Sequence, residues 1–499
     1  MTAGTGTAGT KSLADLGLTA RGGQEARITG IALDSRAVKP GHLFAALPGS
    51  RLHGAEFIAF ALRMEAAAVL TDAAGAGIAA DALAARPVPL VVAEDPRQAL
   101  AFAAALWFEA QPDTMVAVTG TNGKTSVASF TRQIWAALGH EAVNIGTTGI
   151  EGAFAAAGAL TTPDTLTLHR LLAEMAGQGV SHAAMEASSH GLDQRRLDAV
   201  RLVAAGFTNL TQDHLDYHGS FDAYFAAKAG LFARVLPEEG VAVVNLDDAR
   251  GPDMAALAHA RGQRLIGVGR AEAADLRLLA QRAEPTGQIL RFAWDGRPHQ
   301  VRLGLIGGFQ AENVLMAAAL TIAAGDESER VFATLPRLQT VRGRMQHVAT
   351  RTNGAPVFVD YAHTPDAVAT ALAALRPHVL GRLICVLGAG GDRDRTKRPL
   401  MGHAAAAHAD VVYITDDNPR SEDPAAIRAA ILAACPEANE VGDRAEAILR
   451  AVDALQPGDA LIVLGKGHET GQTVGDTVYP FDDAEQASIA VAALDGPDR

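Results

Sequence analysis

The sequence has few cysteines, no long apolar run and no excess of positive charge. Its two cysteines, Cys385 and Cys435, exclude a disulfide framework and a cysteine-based metal site and favour a reduced cytosol. The N-terminus lacks the apolar core of a signal peptide, and no run of 18 apolar residues occurs, so we expect a soluble cytoplasmic protein without a membrane partner. The formal net charge of −13 disfavours nonspecific nucleic-acid binding, although local Arg and Lys can hold anionic ligands.

The chain does contain enough apolar residues for several cores. Its 499 residues predict about three domains, because a single core rarely grows beyond roughly 250–300 residues. Hydrophobic residues make up 48% and charged residues 20%, which is typical of a globular protein. The 50 glycines and abundant alanines fit a chain with many βα turns and helices.

Changes in the hydrophobic pattern divide the chain into four segments and predict an α/β fold. Residues 1–12 are rich in Gly, Thr and Ala, which predicts a disordered tail. Residues 13–112 predict a small α/β domain. Strands alternate with helices over 113–345, which predicts a central doubly wound parallel sheet with an antiparallel appendage over 275–303. Residues 346–499 resume the alternation and predict a second parallel, Rossmann-like C-terminal domain.

The stretch 114–125, TMVAVTGTNGKT, is the strongest local signal for function. An apolar run predicts a strand, a glycine-containing loop follows, and periodic apolar residues from Val127 predict a helix. Backbone N–H groups at a helix start can cradle phosphate oxygens. Lys124 would reach the β- and γ-phosphates of ATP, and the Thr125 hydroxyl would hold Mg²⁺. Val118 stands where the full phosphate-loop pattern has a glycine, so an ordinary strand–turn–helix corner remains an alternative.

Two later strands also end in polar groups. Glu186 closes the predicted strand 182–186, and open α/β sheets place ligand groups at the carboxyl ends of their strands. Glu186 is therefore placed to help bind Mg²⁺ beside Thr125. His214 and His218 follow the strand that ends at Phe207, but Mg²⁺ sites built from oxygen ligands do not usually recruit histidine.

Five motifs between residues 120 and 365 resemble those of the Mur ligase family and its folylpolyglutamate synthase relatives. They are GTNGKT from Gly120, DHLD from Asp213, AAK ending at Lys228, GRM from Gly343 and DYAHTP from Asp360. These relatives are ATP-dependent enzymes that join a carboxylate to an amine. The resemblance therefore implies a three-domain α/β ligase whose central domain binds ATP.

The resemblance also implies roles at the ATP end of the enzyme. The nucleotide would contact Gly120, Thr121, Asn122, Gly123, Lys124, Thr125, Ser126, Asn313, Arg344, Asp360 and His363. Two Mg²⁺ ions would be held by Thr125, Glu186, His214 and Lys228, and Lys228 would be carbamylated by CO₂ to N6-carboxylysine. The catalytic residues would be Lys124, Lys228, Arg344 and His214. Gln310 departs from the family pattern, which has Asn at that position.

Both ends of the chain carry further family motifs that imply the substrates. Residues Asp34–Arg36 with GHLFAALPG resemble the uridine-binding domain of the muramyl ligases, and the substrate UDP-N-acetylmuramoyl-L-alanyl-D-glutamate would contact Ser35, Thr161, Thr162, Ser188, Gln194 and Arg196. The motif DNPR, Asp417–Arg420, marks the ligases that add meso-diaminopimelate rather than lysine. Diaminopimelate has a second carboxylate on its far carbon, which the guanidinium of Arg420 can bind bidentately. The acceptor would contact Arg393, Asp417, Asn418, Arg420, Gly465 and Glu469.

The resemblance thus predicts an enzyme of cytoplasmic peptidoglycan precursor synthesis that acts through an acyl phosphate, and we expect the enzyme to be a monomer. Three alternatives remain open at this point. DNPR disfavours the lysine-adding relative, and the N-terminal domain disfavours a folylpolyglutamate synthase. A non-ligase ATP-binding regulator is disfavoured by the intact set Lys124, Glu186, His214 and Lys228.

Overall fold

The structure, a computed structural model, describes residues 9–49, 52–158, 160–211, 213–284 and 286–496. By their contacts the described residues form two compact units. The first is drawn from Met1–Gly267 and Met316–Glu327, and the second from Val268–Leu315 and Ser328–Arg499. Residues 1–8 of the predicted tail lie outside the described residues. Lys11–Ser12, by contrast, is a short strand paired with Arg27–Ile28, so backbone pairing orders the end of that predicted tail.

The N-terminal part of the first unit is a small parallel α/β sheet. Strands β1 (Lys11–Ser12) and β2 (Arg27–Ile28) form a separate antiparallel pair, and the parallel sheet contains β3 (Gly30–Ala32), β4 (His42–Ala45), β5 (Ala68–Thr71) and β6 (Leu90–Val92). Its helices are α1 (Ile58–Arg63), α2 (Ala73–Ile78), α3 (Ala80–Ala85) and α4 (Pro96–Phe108). Strands β3 to β6 pair in chain order, all parallel. Helix α4 begins at Pro96 because Asp95 caps it by accepting from Gln98 N.

The central part of the first unit is a larger sheet in which β7 lies in the middle. Its strands are β7 (Thr114–Thr119), β8 (Ala142–Gly146), β9 (Gly149–Gly152), β10 (His182–Glu186), β11 (Ala204–Phe207), β12 (Val241–Asn245) and β13 (Arg264–Gly269). The strand order is β13-β12-β11-β7-β10-β8-β9. Strand β7 pairs in parallel with β10 and β11, and its apolar run Met115–Val118 is almost fully buried. The predicted α/β class with a central parallel sheet is confirmed.

The helices of this central part are α5 (Lys124–Leu138), α6 (Thr165–Gly177), α7 (Ser189–Asp193), α8 (Leu215–His218), α9 (Phe221–Gly230) and α10 (Gly251–Ala260). The sequence pattern does not predict β8 and β9. Strand β8 carries a buried polar residue, Asn144, in its middle. Arg132 Nε donates a hydrogen bond to Asn144 Oδ1 at 2.6 Å, which satisfies this buried amide oxygen. Strand β9 begins and ends with glycine, and it pairs antiparallel to β8 as a hairpin.

The second unit contains the predicted antiparallel appendage and the C-terminal sheet. The appendage strands β14 (Leu276–Glu284), β15 (Gly287–Trp294) and β16 (Arg297–Leu303) pair antiparallel, as expected. The later strands are β17 (Gln346–Thr350), β18 (Pro356–Asp360), β19 (Leu383–Leu387), β20 (Val411–Ile414), β21 (Asn439–Glu440), β22 (Ala460–Leu464), β23 (Gly471–Val474) and β24 (Thr477–Pro480). The sheet order is β17-β18-β22-β19-β20-β21, with β17 the antiparallel strand.

Seven α-helices are described between residue 309 and residue 495. They are α11 (Phe309–Ala323), α12 (Ser328–Thr334), α13 (Pro365–Leu375), α14 (Lys397–His408), α15 (Pro424–Leu432), α16 (Arg444–Asp453) and α17 (Asp483–Asp495). None of the helices in the described part of the chain is long and apolar enough to cross a membrane. Since β18, β19, β20 and β22 are parallel, their carboxyl ends meet at one edge, where polar loops follow.

Candidate active site

The loop between β7 and α5 depends on two glycines for its shape. Gly120 has φ +150°, and a Cβ built there would lie 1.9 Å from Thr208 Oγ1. Gly123 has φ +88° and caps α5 in the left-handed region that favours glycine. A residue with a side chain would therefore be strained at Gly120 or Gly123.

The segment after β11 ties this loop down. Asn209 accepts from Thr121 N through its backbone oxygen and from Asn122 N through Oδ1, both at 2.9 Å. Thr208 Oγ1 donates to Asn122 O at 2.6 Å. Ser126 is buried in the first turn of α5. The loop and the start of α5 are thus held rigid, which suits a site for phosphate oxygens.

Glu186, at the carboxyl end of β10, is a buried carboxylate surrounded by threonines. It accepts from Thr125 Oγ1 at 3.0 Å, from Thr147 N at 2.8 Å and from Thr147 Oγ1 at 3.2 Å. A Cβ on Gly146 would lie 2.0 Å from Glu186 Oε1, so glycine is required beside it. Hydroxyl and carboxylate oxygens are the ligands that Mg²⁺ prefers, so Thr125 and Glu186 fit a Mg²⁺ site.

Two lysines converge on one backbone oxygen of the loop. Lys124 Nζ donates to Gly120 O at 2.8 Å, and Lys228 Nζ donates to the same oxygen at 2.7 Å. Lys228 is 1% exposed and lies 4.4 Å from the centre of the Tyr224 ring. Burial, and then the neighbouring Lys124, lower the pKa of Lys228 well below its usual range. The Lys228 amine is thereby favoured in its neutral, nucleophilic form.

His214 lies near this group but is more open to solvent. It has φ +53°, in the left-handed region, and its ring centre is 6.1 Å from that of Tyr224 and 4.9 Å from that of His190. Its Nε2 is 3.5 Å from Asp213 Oδ2. Within the described residues, no group of three or more His, Cys, Asp or Glu is arranged to hold a metal ion. His214 and Lys228 thus flank the same Tyr224 ring, whereas Thr125 and Glu186 are in direct contact.

The residues predicted to hold the dipeptide form one hydrogen-bonded chain beside Glu186. Thr161 Oγ1 is 3.1 Å from Thr147 Oγ1, and Thr162 Oγ1 donates to Glu186 O at 2.9 Å. Ser188 Oγ donates to Thr162 Oγ1 at 3.0 Å. Beyond them, Arg196 Nη1 donates to Thr162 O at 2.7 Å, and its Nη2 donates to Gln194 Oε1 at 2.7 Å.

Two predicted contact residues stand apart from these networks. Ser35 begins a short 3-10 turn that Asp34 caps, and no described residue hydrogen-bonds its side chain. Asn313, in the second unit, is buried and donates through Nδ2 to Gln310 Oε1 at 3.2 Å. Gln310, which departs from the family pattern, therefore holds the orientation of the Asn313 amide.

Arg344 in the GRM segment stacks on an aromatic ring of the DYAHTP motif. Its guanidinium carbon lies 4.7 Å from the centre of the Tyr361 ring. The ring centres of His363 and His468 lie 4.6 Å and 5.0 Å from the centre of the same Tyr361 ring. Asp360 accepts from Met345 N at 2.7 Å and from Ala362 N at 2.8 Å, and burial raises its pKa. Asp360 therefore fixes the backbone on both sides of this stack.

The loops after β20 and β22 bring together four polar residues, Asp417, Asn418, Lys466 and Glu469, which we call the Lys466 cluster. Lys466 Nζ donates to Asn418 Oδ1 at 3.2 Å and to Glu469 Oε2 at 3.4 Å, and lies 3.7 Å from Asp417 Oδ1. Asn418 Nδ2 also donates to Glu469 Oε2, at 2.9 Å. A Cβ on Gly465 would lie 2.6 Å from Asp417 Oδ2, so glycine leaves the room that Asp417 occupies.

Arg420 lies beside this cluster in a constrained conformation. Its φ is +51°, and a hairpin holds its backbone: Arg420 N donates to Thr473 O at 3.0 Å, and Gly475 N donates to Arg420 O at 2.7 Å. Its Nη1 donates to Gly391 O at 2.7 Å. A Cβ on Gly390 would lie 2.9 Å from Arg420 Nη1 and 3.8 Å from Arg393 Cγ, so the two arginines converge on Gly390.

Sequence reasoning missed three residues of these sites. Thr147 follows β8, a strand that the hydrophobic pattern did not reveal, and Tyr361 lies inside a motif from which only its neighbours were chosen. Lys466 lies in the segment GKGHE between two chosen residues, Gly465 and Glu469. The signal for Lys466 was available, because a lysine between glycines directly after an apolar strand lies where ligand groups gather.

Comparison with known proteins gives one consistent family. Three Mur ligase profiles match the chain: the Mur ligase family catalytic domain over 27–107, the Mur ligase middle domain over 118–321, and the Mur ligase glutamate ligase domain over 343–467.

Two curated relatives and one solved structure agree with these profiles. The UDP-N-acetylmuramoyl-L-alanyl-D-glutamate–2,6-diaminopimelate ligase of Bradyrhizobium diazoefficiens is 51% identical over 470 residues, covering 93% of this chain and 95% of its own. The ligase of the same name from Caulobacter vibrioides is 51% identical over 476 residues, covering 94% and 96%. A solved structure of a ligase with that name is 33% identical, with a TM-score of 0.69 and coverage of 94% and 95%. Since relatives at this identity span nearly the whole chain, the chain belongs to the Mur ligase family.

Proposed function

We propose that this chain is an ATP-dependent ligase that joins meso-diaminopimelate to UDP-N-acetylmuramoyl-L-alanyl-D-glutamate in cytoplasmic peptidoglycan precursor synthesis. The γ-phosphoryl group of ATP passes to the γ-carboxylate of the D-glutamate, which gives ADP and an acyl phosphate. The amine then attacks the acyl carbon, phosphate leaves and an amide forms. The observation that carries the proposal is that the loop after β20 supplies both Arg420 and two members of the Lys466 cluster, since these charges complement a distal ammonium and carboxylate.

At the ATP end, the chain supplies positioning and positive charge rather than a nucleophile. The loop Gly120–Ser126 and Lys124 would bind the phosphates, and Arg344 would act on the transferring group. Thr125 and Glu186 would hold one Mg²⁺, and His214 and Lys228 would contribute to a second. Bound Mg²⁺ neutralises the charge of the phosphates during transfer. The buried contact of Thr125 with Glu186 supports the first of these sites.

Carbamylation of Lys228 has a physical basis in its surroundings. The neutral amine that burial favours is the form that reacts with CO₂, and the product carries a negative charge. The carbamate then attracts the charged Lys124, whose Nζ bonds the same Gly120 oxygen as the Lys228 Nζ. The modification thus gives Lys124 a nearby negative charge and adds oxygen ligands that suit Mg²⁺.

The alternatives differ from the proposal in named features. A lysine-adding enzyme has no carboxylate for Arg420 to bind, because lysine ends in an amine alone. A folylpolyglutamate synthase gives no role to residues 27–107, which match a Mur ligase profile. A non-ligase regulator gives no role to the converging Lys124 and Lys228.

Phosphate release with a panel of amines tests the proposal. The purified chain, ATP, Mg²⁺ and UDP-N-acetylmuramoyl-L-alanyl-D-glutamate are combined with meso-diaminopimelate, lysine or no amine. We expect rapid phosphate release only in the mixture that contains diaminopimelate, together with a product of the tripeptide mass. The control variant Lys39→Met, at an exposed lysine, should release phosphate at the wild-type rate. Preference for lysine, or equal release without amine, would overturn the assignment.

We also propose that the enzyme is monomeric and that its domains divide near residues 112 and 345. The matched profiles, which end or begin near these positions, support the boundaries. Light scattering coupled to size-exclusion chromatography should give a mass near 51.7 kDa. A mass of twice that value would contradict the monomer.

A further inference from the structure

Lys466 is one of the most completely buried charged side chains in the second unit, and the proposed mechanism assigns no separate role to its ammonium. Lysine is scarce in this chain, with six in 499 residues, and two of the six, Lys228 and Lys466, are at most 1% exposed. Removing an ammonium from water costs several kcal/mol unless nearby groups compensate. The surroundings of Lys466 should therefore show which compensation the fold provides.

Three side-chain oxygen atoms lie within 3.7 Å of the Lys466 Nζ. They are Asn418 Oδ1, Glu469 Oε2 and Asp417 Oδ1, at 3.2, 3.4 and 3.7 Å from Nζ. A lysine head is a compact tetrahedral donor with three N–H groups, whereas an arginine offers a planar fork. One ammonium thus links residues from two different loops, those after β20 and β22.

Both donors to Glu469 bond the same oxygen. Lys466 Nζ and Asn418 Nδ2 each donate to Oε2, and no described residue donates to Oε1. The Glu469 side chain is 35% exposed, so Oε1 is open to a ligand while Oε2 is fixed to the protein. Lys466 and Asn418 thus set the direction in which Oε1 points.

Within the Lys466 cluster itself the positive and negative charges do not balance. Lys466 supplies one positive charge against the two carboxylates of Asp417 and Glu469, which leaves −1. The next buried cation, Arg444, is paired with Asp483 at 2.7 Å, and both side chains are 0% exposed. A cationic group on a ligand would complete the balance, and Arg420 close by offers a donor for an anionic group.

We propose that Lys466 is a positioning residue for the distal amino-acid centre of the acceptor. It holds Glu469 and Asn418 so that Glu469 Oε1 meets the distal ammonium of meso-diaminopimelate, while Arg420 binds the distal carboxylate. The inference rests on the proposed function and assigns Lys466 a part in recognising the ammonium rather than in binding the carboxylate or the nucleotide.

A pair of acceptors separates this role from general loss of structure. In 2-aminopimelate the distal ammonium of diaminopimelate is replaced by hydrogen, while the reacting amine and the distal carboxylate remain. We expect Lys466→Met to raise the KM for diaminopimelate about tenfold to a hundredfold, the range for a lost hydrogen bond to a charged group. The KM for 2-aminopimelate should change less than about threefold, because that acceptor has no ammonium for Glu469 to bind. The KM values for ATP and the UDP-dipeptide should remain unchanged.

The controls make each outcome decisive. Lys39→Met, at an exposed lysine, should behave as the wild type in every assay. Lys466→Gln keeps a donor in the buried position and replaces Lys466→Met if a thermal melt shows that the latter does not fold. Equal KM increases for both acceptors, or no increase for diaminopimelate, would overturn the role of Lys466. A wild-type enzyme that does not use diaminopimelate would instead overturn the proposed function itself.

Discussion

The phosphate-loop region of the first unit and the Lys466 cluster of the second unit are built on different physical principles. The first relies on backbone: Gly120 and Gly123 shape the loop, and two lysines bond one carbonyl oxygen. The second relies on side chains: buried carboxylates, an amide and an ammonium hold one another across two loops. A backbone site suits phosphates, which are alike in every nucleotide, whereas a side-chain site can be matched to one particular amine.

The side-chain site also depends on buried ion pairs around it. Arg444 donates to both oxygens of Asp483 at 2.7 Å and to Leu464 O at 2.8 Å, directly before Gly465. Arg398, 3% exposed, donates to both oxygens of Glu422, two residues after Arg420. The comparison therefore predicts that charge removal destabilises the second region, and that added side-chain volume disables the first.

Removing the charge of Asp483 should have the largest effect on stability. Asp483→Asn leaves the buried Arg444 without its carboxylate, which costs about 3–5 kcal/mol. Urea unfolding would measure this loss. Glu446→Gln, which breaks an exposed i,i+4 pair with Arg450, should cost less than about 0.5 kcal/mol. Equal losses in the two variants would contradict the importance of the buried pair.

The second largest effect should come from adding one methyl group to the phosphate loop. In Gly120→Ala the new Cβ meets Thr208 Oγ1 and the residue must adopt φ +150°, so we expect an activity loss of about a hundredfold at nearly unchanged folding. Steady-state phosphate release would measure it. Gly177→Ala is the matched control, because a Cβ at that helical position meets nothing within 4 Å. Normal activity of Gly120→Ala would show that the loop shape is not essential.

Loss of the arginine fork should be smaller and confined to one substrate. We expect Arg420→Ala to weaken diaminopimelate binding by about 1.5–3 kcal/mol, measured as its KM. The KM of Arg420→Lys for diaminopimelate should lie between those of the wild type and Arg420→Ala, because lysine keeps the charge but not the bidentate geometry. A similar rise in the KM for ATP would indicate a general structural effect instead.

The smallest effect, counted per pH unit, concerns the pH dependence contributed by Lys228. Its pKa in the folded protein is well below the 10.5 of the unfolded chain, so the unfolded state binds more protons between those values. In CO₂-free buffer, the stability of the wild type relative to Lys228→Met should therefore rise with pH across that window, by up to about 1.4 kcal/mol per unit. Lys39→Met should show no such trend. A difference that falls with pH would contradict the depressed pKa.

The same contrast explains how much could be predicted from the sequence. The phosphate loop is local, so the pattern of strand, loop and helix predicted it, and the end of β10 predicted where Glu186 would lie, whereas Asn418 was implied by the resemblance to the Mur ligases. The pairing of Arg444 with Asp483 joins residues far apart in the chain, and no periodicity reveals it. Strand β8 was missed because its buried Asn144 interrupts the apolar pattern, and Thr147 was missed with it.

The central claim is that the first region makes an acyl phosphate and the second selects the amine that consumes it. The direct test labels both γ-carboxylate oxygens of the D-glutamate with ¹⁸O and follows them by mass spectrometry after reaction with ATP and diaminopimelate. The account predicts one ¹⁸O in the released phosphate and one in the new amide, in the wild type and in Arg420→Ala alike. Label in AMP, or unlabelled phosphate beside a formed amide, would contradict the account.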